Sequence, residues 1–299
     1  MPDDPRICDY EGSDYRTDFW EGQGRDYEDS VERDVLARLL PSSGQRLLEV
    51  GAGFGRLTSE YRYFKQVVLL DYSFSQLQYA REQFGDEGYL YVAADAYKLP
   101  FQPGVFDAAT MIRVLHHFER VPRVLKAIRR VLAPQAAFIL EFANKRNLKA
   151  LARYGLGQQK WDPNDPQPVE FVEMNYNFHP SYIVNELRAA GFEHLQSVPV
   201  SFLRSGLLKR TLKKDWLLNI DGVMQRSGLL VAPSIFTKSR ASASNPDNNA
   251  DNMQLSGEAI FACPQTHSTL QRDEDTLVSA DGRRYAVREG IYDFKQALA

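Results

Sequence analysis

The run Glu49-Val50-Gly51-Ala52-Gly53-Phe54-Gly55 is the part of this sequence whose residue types and spacing best suit chemistry. It follows an apolar, strand-like stretch and precedes a helix-like one. Glycines at alternate positions remove Cβ atoms where the chain turns from strand into helix, so a ligand can rest on bare backbone at the carboxyl edge of a sheet. A dinucleotide fingerprint would be G-x-G-x-x-G, which sets a pyrophosphate on the helix N-terminus. The spacing here is tighter, and an acid precedes it. Asp71 closes the next apolar run, twenty residues after Gly51. A carboxylate there can accept both hydroxyls of an adenosine ribose, a role that suits a nicotinamide dinucleotide equally well. Asp95, in the run Ala94-Asp95-Ala96-Tyr97-Lys98-Leu99-Pro100-Phe101, separates the two readings, because an acid at that place can accept from an adenine amino group. Each feature also has a plain structural reading: a glycine turn can serve the fold alone, and an acid at a strand end can cap the next helix. Taken together, the three favour a bound adenosyl cofactor.

Such residues need a scaffold that brings several strand ends to one edge. From Arg46 onward, short apolar runs at Leu47-Leu48-Glu49-Val50, Val67-Val68-Leu69-Leu70, Tyr89-Leu90-Tyr91-Val92, 106–111 and Ala137-Phe138-Ile139-Leu140 alternate with helical spacing over 56–64, 75–84 and 121–132. This is the rhythm of repeated βαβ units, which predicts a parallel sheet with right-handed crossovers. His179-Pro180-Ser181 opens a further helix that Gly191 ends, and apolar runs near 195–203 and 229–236 bring the expected sheet to about seven strands. The fold class is therefore α/β, a doubly wound and mostly parallel seven-stranded sheet, with a small β-rich C-terminal module. The expected boundaries are an N-terminal segment at 1–30, a main domain at 31–240, a linker at 241–257 rich in Ser, Asn, Asp and Ala, and the small module at 258–299. The aromatic and glycine-rich stretch from Phe19 to Tyr27 suits a cover over the cofactor or ordinary packing. Between the last two strands, Leu207, Leu208, Leu212, Trp216 and Leu217 interleave with Lys209, Arg210, Lys213 and Lys214. That pattern predicts an amphipathic helix, read as packing on its own domain, as a substrate lid, or as a membrane-surface element.

With these motifs in place, the run from Arg46 to Asn144 resembles the class I S-adenosylmethionine-dependent methyltransferases, Rossmann-like enzymes, and especially the branch of ubiquinone and menaquinone biosynthesis methyltransferases. The resemblance implies that Gly51, Ala52, Gly53 and Gly55 flank the methionine part of S-adenosylmethionine and that Glu49 orients the glycine turn. It further implies that Asp71, with Tyr72 beside it, holds the ribose, that Asp95 with the Ala96 backbone reads adenine, and that backbone near Ile112 and Arg113 meets the methionine ammonium. S-adenosylhomocysteine would be the product. Val114-Leu115-His116-His117-Phe118 falls in the segment that faces substrate. His117, and next to it His116, are the candidates for a catalytic base, against the alternative that both are packed or hydrogen-bonded residues. The tail, from Phe261-Ala262-Cys263-Pro264 to Asp293-Phe294, is similar to the small zinc-ribbon activators that partner methyltransferases of tRNA, rRNA or release factors. It departs from their metal pattern, since Cys263 has no paired cysteine. Four tetrahedral ligands cannot be gathered from Cys263 and His267, so no metal is expected.

Composition narrows the function class. Of 299 residues, 36 are basic and 39 acidic, a net charge of -3 that gives no global attraction to nucleic acid. No apolar run is long enough to span a bilayer, and Met1-Pro2-Asp3-Asp4 lacks the basic and apolar parts of a signal peptide. With only Cys8 and Cys263, no disulfide framework is implied, and a cytoplasmic setting is expected. The resulting expectation is an S-adenosylmethionine-dependent methyltransferase acting on a small-molecule acceptor, the acceptor itself and the oligomeric state being unread. Aromatics across 161–179 suggest an apolar or planar acceptor. The alternatives are a methyltransferase of a translation component and a catalytically silent methyltransferase-like scaffold. An NAD-dependent oxidoreductase is disfavoured by the glycine spacing and by Asp95.

Overall fold

The computed structural model describes residues 5–243 and 250–298; the N-terminal tip and the middle of the expected linker lie outside the described residues. The chain enters through a strap at 5–14 and the short helix α1 (Tyr15–Phe19), followed by α2 (Asp26–Leu39). Repeated units then follow: β1 (Gly44–Val50), β2 (Phe64–Asp71), α3 (Phe74–Phe84), β3 (Tyr89–Ala93), β4 (Phe106–Met111), α4 (Val121–Val131) and β5 (Leu132–Ala143). Next come α5 (Leu148–Gly155), a hairpin of β6 (Val169–Val172) and β7 (Asn175–Asn177), α6 (Pro180–Ala189), β8 (Phe192–Val200), α7 (Gly206–Thr211), α8 (Lys214–Gln225) and β9 (Ser234–Ala241). Four strands finish the chain: β10 (Leu270–Asp273), β11 (Thr276–Ser279), β12 (Arg284–Arg288) and β13 (Ile291–Leu298).

The sheet is doubly wound, as expected, because residue parity along each central strand sends side chains alternately into two cores. Leu48 and Val50 join Val68 and Leu70 on the face covered by α4 and α6. Leu47 joins Val67 and Leu69 on the face covered by α2 and α3. The strand order β3-β2-β1-β4-β5-β9-β8 gives the seven expected strands, parallel except for β9, which runs antiparallel to both its neighbours. The order changes direction at β1 and β4, and a crevice opens there at the carboxyl ends.

Local structure departs from the sequence reading in two places. The expected helix at 56–64 is a 3₁₀ turn, Thr58–Tyr61, which puts Thr58 and Tyr61 on one side, where both bond to Glu49. The single amphipathic helix is two, α7 and α8, separated by extended backbone at Leu212 and Lys213.

The C-terminal strands do not stand apart as a separate layer. Strand β13 pairs in parallel with β3, Ile291 opposite Tyr91, and the sheet becomes eleven strands in one run. Phe261, Cys263, Leu277, Tyr285 and Phe294 are buried in the same core as Val50 and Phe106. Phe261 lies 5.7 Å from Phe101 ring to ring. From this continuity we propose that the tail unfolds as one cooperative unit with the rest of the sheet. Leu277→Ala is accordingly expected to lower the stability of the whole chain by about 2 kcal/mol or slightly more, with a single calorimetric transition. A second, separate transition at lower temperature would show an independent module instead.

Candidate active site

At the carboxyl end of β1 the chain turns with Gly51, Gly53 and Gly55 all at positive φ. Gly51 has no room for a side chain, since a Cβ would stand 2.3 Å from Val114 Cγ2. At Gly53 a Cβ would meet nothing within 4 Å, so the backbone faces open space. That space is a cavity of about 1030 Å³ including its mouth. Its wall contains Glu49, Gly51, Ala52, Gly53, Asp71, Tyr72, Asp95, Ala96, Ile112, Arg113 and His117, all singled out from the sequence. Gly55 and His116 are not in the wall. Gly55 gives close approach to α3, a Cβ there standing 2.7 Å from Phe84. His116 is packed beside His117, ring centroids 4.0 Å apart, and burial drives its pKa well below the ordinary value.

The acids divide the work differently from the sequence expectation. Asp71, rather than Glu49, holds the glycine turn: its Oδ2 accepts from Gly53 N–H at 2.7 Å and its Oδ1 from Ser73 N–H at 2.9 Å. Burial pushes the Asp71 carboxyl up, and these backbone donors pull against it. Glu49 instead accepts from Thr58 Oγ1 at 2.8 Å and Tyr61 OH at 3.2 Å. Burial raises it to about 7 against the opposing pull of those two hydroxyls. Asp95 Oδ1 accepts from Tyr97 N–H at 2.8 Å, which fixes the turn after β3. Arg113 sits at φ 64, with its N–H donated to Glu141 Oε2 at 2.9 Å.

Residues far away in sequence complete the cavity. The strap lines it with Arg6, Ile7, Cys8 and Tyr10, joined by Tyr15 and Trp20. Glu11 fastens one end by accepting from Phe74 N–H at 2.6 Å at the start of α3. Arg6 fastens the other by donating to Tyr176 OH at 3.0 Å and Glu170 Oε1 at 3.2 Å on the β6–β7 hairpin. Between them Tyr10 OH stands 3.1 Å from His117 Nε2, and the carbonyl of Met174 stands 3.0 Å from His117 Nδ1. A carbonyl only accepts, so Nδ1 carries the proton and Nε2 accepts from Tyr10. Burial lowers the His117 pKa, in keeping with a neutral ring.

Sequence reasoning missed the charge cluster under the Arg113 wall. Glu32, on the buried face of α2, receives Arg113 Nε at 2.7 Å and Arg56 Nη2 at 2.7 Å. Burial raises the Glu32 carboxyl, yet the guanidiniums of Arg113 and Arg56 overrule it and hold it at about 2. The same Arg56 lies 3.7 Å from the Trp20 ring centroid, a cation–π contact that seats Trp20 in the cavity wall. One signal was available: Glu28 and Glu32 share the helical stripe of Val31, Val35 and Leu36, where acids are out of place.

Residues 48–140 match the family model described as a methyltransferase domain. Over those residues the chain is similar to methyltransferase domains, and its fold is the class I methyltransferase fold. A ubiquinone/menaquinone biosynthesis C-methyltransferase of Stutzerimonas stutzeri is 29% identical over 170 residues, covering 51% of this chain and 66% of the relative. An O-methyltransferase of Penicillium expansum is 34% identical over 118 residues, 38% of this chain and 43% of the relative. The chain thus spans less than two thirds of the length of these relatives. Among solved structures, a possible histamine N-methyltransferase from Thermotoga maritima shares the fold with TM-score 0.53 at 18% identity, over 73% of this chain and 90% of that one. The putative methyltransferase of Haloferax volcanii, solved in complex with a methyltransferase activator, gives TM-score 0.53 at 17% identity, over 74% and 95%. The wall fits S-adenosylmethionine, the cofactor that the sequence resemblance implies. The turn at Gly53 is bare, carboxylates stand at three successive strand ends, and the Asp71 carboxylate keeps capacity for a further donor. Among the described residues no helix is long and apolar enough to cross a membrane. Nor do three His, Cys, Asp or Glu side chains gather there as metal ligands.

Proposed function

We propose that this chain methylates a small, apolar or planar acceptor, using the cavity between the glycine turn and the N-terminal strap for both cofactor and reacting atom. The observation that carries the reading is the convergence of Glu49, Asp71 and Asp95 on one cavity whose wall also contains His117. When bound, S-adenosylmethionine would supply a sulfonium-borne methyl group open to in-line attack, with S-adenosylhomocysteine as the leaving group. The chain's own contribution is then to hold the acceptor against it and exclude water, which the strap does from above. Asp71 binds the ribose, Asp95 and the Ala96 backbone hold adenine, and backbone near Ile112 and Arg113 receives the ammonium. His117 Nε2, neutral and bonded to the strap through Tyr10, is suited to take a proton from an acceptor hydroxyl that replaces Tyr10. The names of the two relatives, a C-methyltransferase of quinone biosynthesis and an O-methyltransferase, support a small-molecule acceptor.

The test is a calorimetric titration with S-adenosylhomocysteine, with NADH in parallel. Binding of the former alone is expected; binding of NADH alone, or of neither, sinks the reading. Glu49 adds a pH signature. Its folded pKa of about 7 lies above the ordinary value, so its contribution to apo stability is present at low pH and is lost as pH rises through about 7. A cation at the site favours the carboxylate, so ligand binding below about pH 7 releases a proton. Affinity is expected to rise by up to about tenfold per pH unit below 7 and to level off above it. Glu49→Gln should flatten that slope, and an unchanged slope would remove Glu49 from the ammonium's surroundings.

A further inference from the structure

Helix α8 is turned the wrong way round for a helix that only packs. Its inner face presents Asp221 and Gln225, both buried, beside Leu217. Its outer face presents Trp216, Ile220 and Val223, of which Trp216 is 65% and Val223 69% exposed. These three stand at i, i+4 and i+7, one stripe along the helix. The rotation is locked from inside. Asp221 Oδ1 accepts from Tyr27 OH at 2.8 Å and from Phe202 N–H at 2.8 Å, and its Oδ2 accepts from Gln225 Nε2 at 2.8 Å. Turning the apolar stripe inward would break the bonds to Tyr27 and Phe202 and leave the buried Tyr27 hydroxyl without its acceptor.

Charge surrounds the stripe. Arg210, Lys213 and Lys214 precede it and Arg226 follows it, all exposed, while Asp215 is the one exposed acid from 206 to 229. Lys209 is occupied, donating to Glu28 Oε1 at 2.9 Å. A chain of net charge -3 thus concentrates cations around its most exposed tryptophan. Leu212 and Leu229, also exposed, extend the apolar surface at either end. An aromatic and aliphatic stripe rimmed by lysine and arginine is suited to the headgroup region of an anionic bilayer, where apolar side chains enter the acyl boundary and cations meet lipid phosphates.

We propose that the α7–α8 face docks this protein on anionic membrane surfaces, with Trp216, Ile220 and Val223 inserted and Arg210, Lys213, Lys214 and Arg226 on the headgroups. The proposal is independent of what the cavity binds. It is tested by sedimenting the full chain with phosphatidylcholine vesicles, with and without phosphatidylserine. Phosphatidylserine should strengthen binding by about tenfold or more, and added salt should reverse the gain. Trp216→Ala combined with Val223→Ala, and separately Lys213→Glu combined with Lys214→Glu, should each weaken it by about tenfold. These side chains are exposed, so the melting temperature should stay within a few degrees of the parent, which keeps loss of binding distinct from unfolding. No vesicle binding, or binding indifferent to phosphatidylserine and to both variants, overturns the proposal. So does a concentration-dependent dimer that Trp216→Ala dissolves while vesicles bind nothing, since the stripe would then be a contact between copies.

Discussion

Asp71→Ala weakens S-adenosylhomocysteine binding by at least about a hundredfold while leaving the fold in place. One carboxylate does two things that alanine cannot. It pins the glycine turn through Gly53 N–H at 2.7 Å, and it faces the cavity with acceptor capacity for a ribose hydroxyl. Hydrogen bonds to a charged group contribute about 1.5–3 kcal/mol each, and about 2.7 kcal/mol is already a hundredfold in affinity. Folding loses less, because burial already disfavours this carboxylate and pushes its pKa up, so its removal relieves a cost as it removes the bonds. Asp71→Asn, which keeps the shape and one acceptor oxygen, should lose only about tenfold. Calorimetry on the two variants reads the difference, and an affinity within threefold of the parent in Asp71→Ala would mean that the ribose is held elsewhere.

Glu32→Ala is the substitution expected to cost most in stability, about 4 kcal/mol by urea denaturation. Glu32 is fully buried between Arg56 and Arg113, and its removal leaves two largely buried guanidiniums without the carboxylate between them, Arg56 keeping Asp29 as its partner. The carboxyl is held at about 2, below its ordinary 4.5. Its stabilising contribution is therefore fully present above about 4.5 and is lost as pH falls toward 2. The parent should lose stability steeply across that acid range, and the variant should lack that component. Cofactor affinity should fall as well, because Arg113, in the cavity wall at φ 64, is held by Glu32 through its side chain and by Glu141 through its N–H. A loss below about 1 kcal/mol would show that the arginines find solvent when Glu32 is gone.

Legible in the residues alone were the strand and glycine turn at 49–55 and the acids at Asp71 and Asp95. Each is a local pattern: apolar strands announce themselves by residue type, and the turns between strand and helix need glycine or a short polar residue. Strand ends of a parallel sheet share one edge, so locating three such ends was enough to place three carboxylates around one cavity. The division of labour between the acids was not legible. Whether Asp71 or Glu49 grips the turn depends on the side each carboxylate faces, which follows from the 3₁₀ turn that sends Thr58 and Tyr61 to Glu49.

Contacts between residues with no periodic relation to each other were settled by the folded chain alone. Tyr10 meets His117 across 107 positions, and Glu32 meets Arg113 across 81. A charged pair carries no hydrophobic rhythm, so nothing in either local window names its partner. The C-terminal strands read as a separate module because linker composition precedes them. Yet β3 is otherwise an open edge, and an unpaired row of N–H and C=O groups accepts any strand of suitable register. Helix α8 shows the same limit most clearly. Its composition announced an amphipathic helix, but which of its faces meets solvent was settled by Tyr27, 194 residues away, bonding to Asp221 and fixing the rotation.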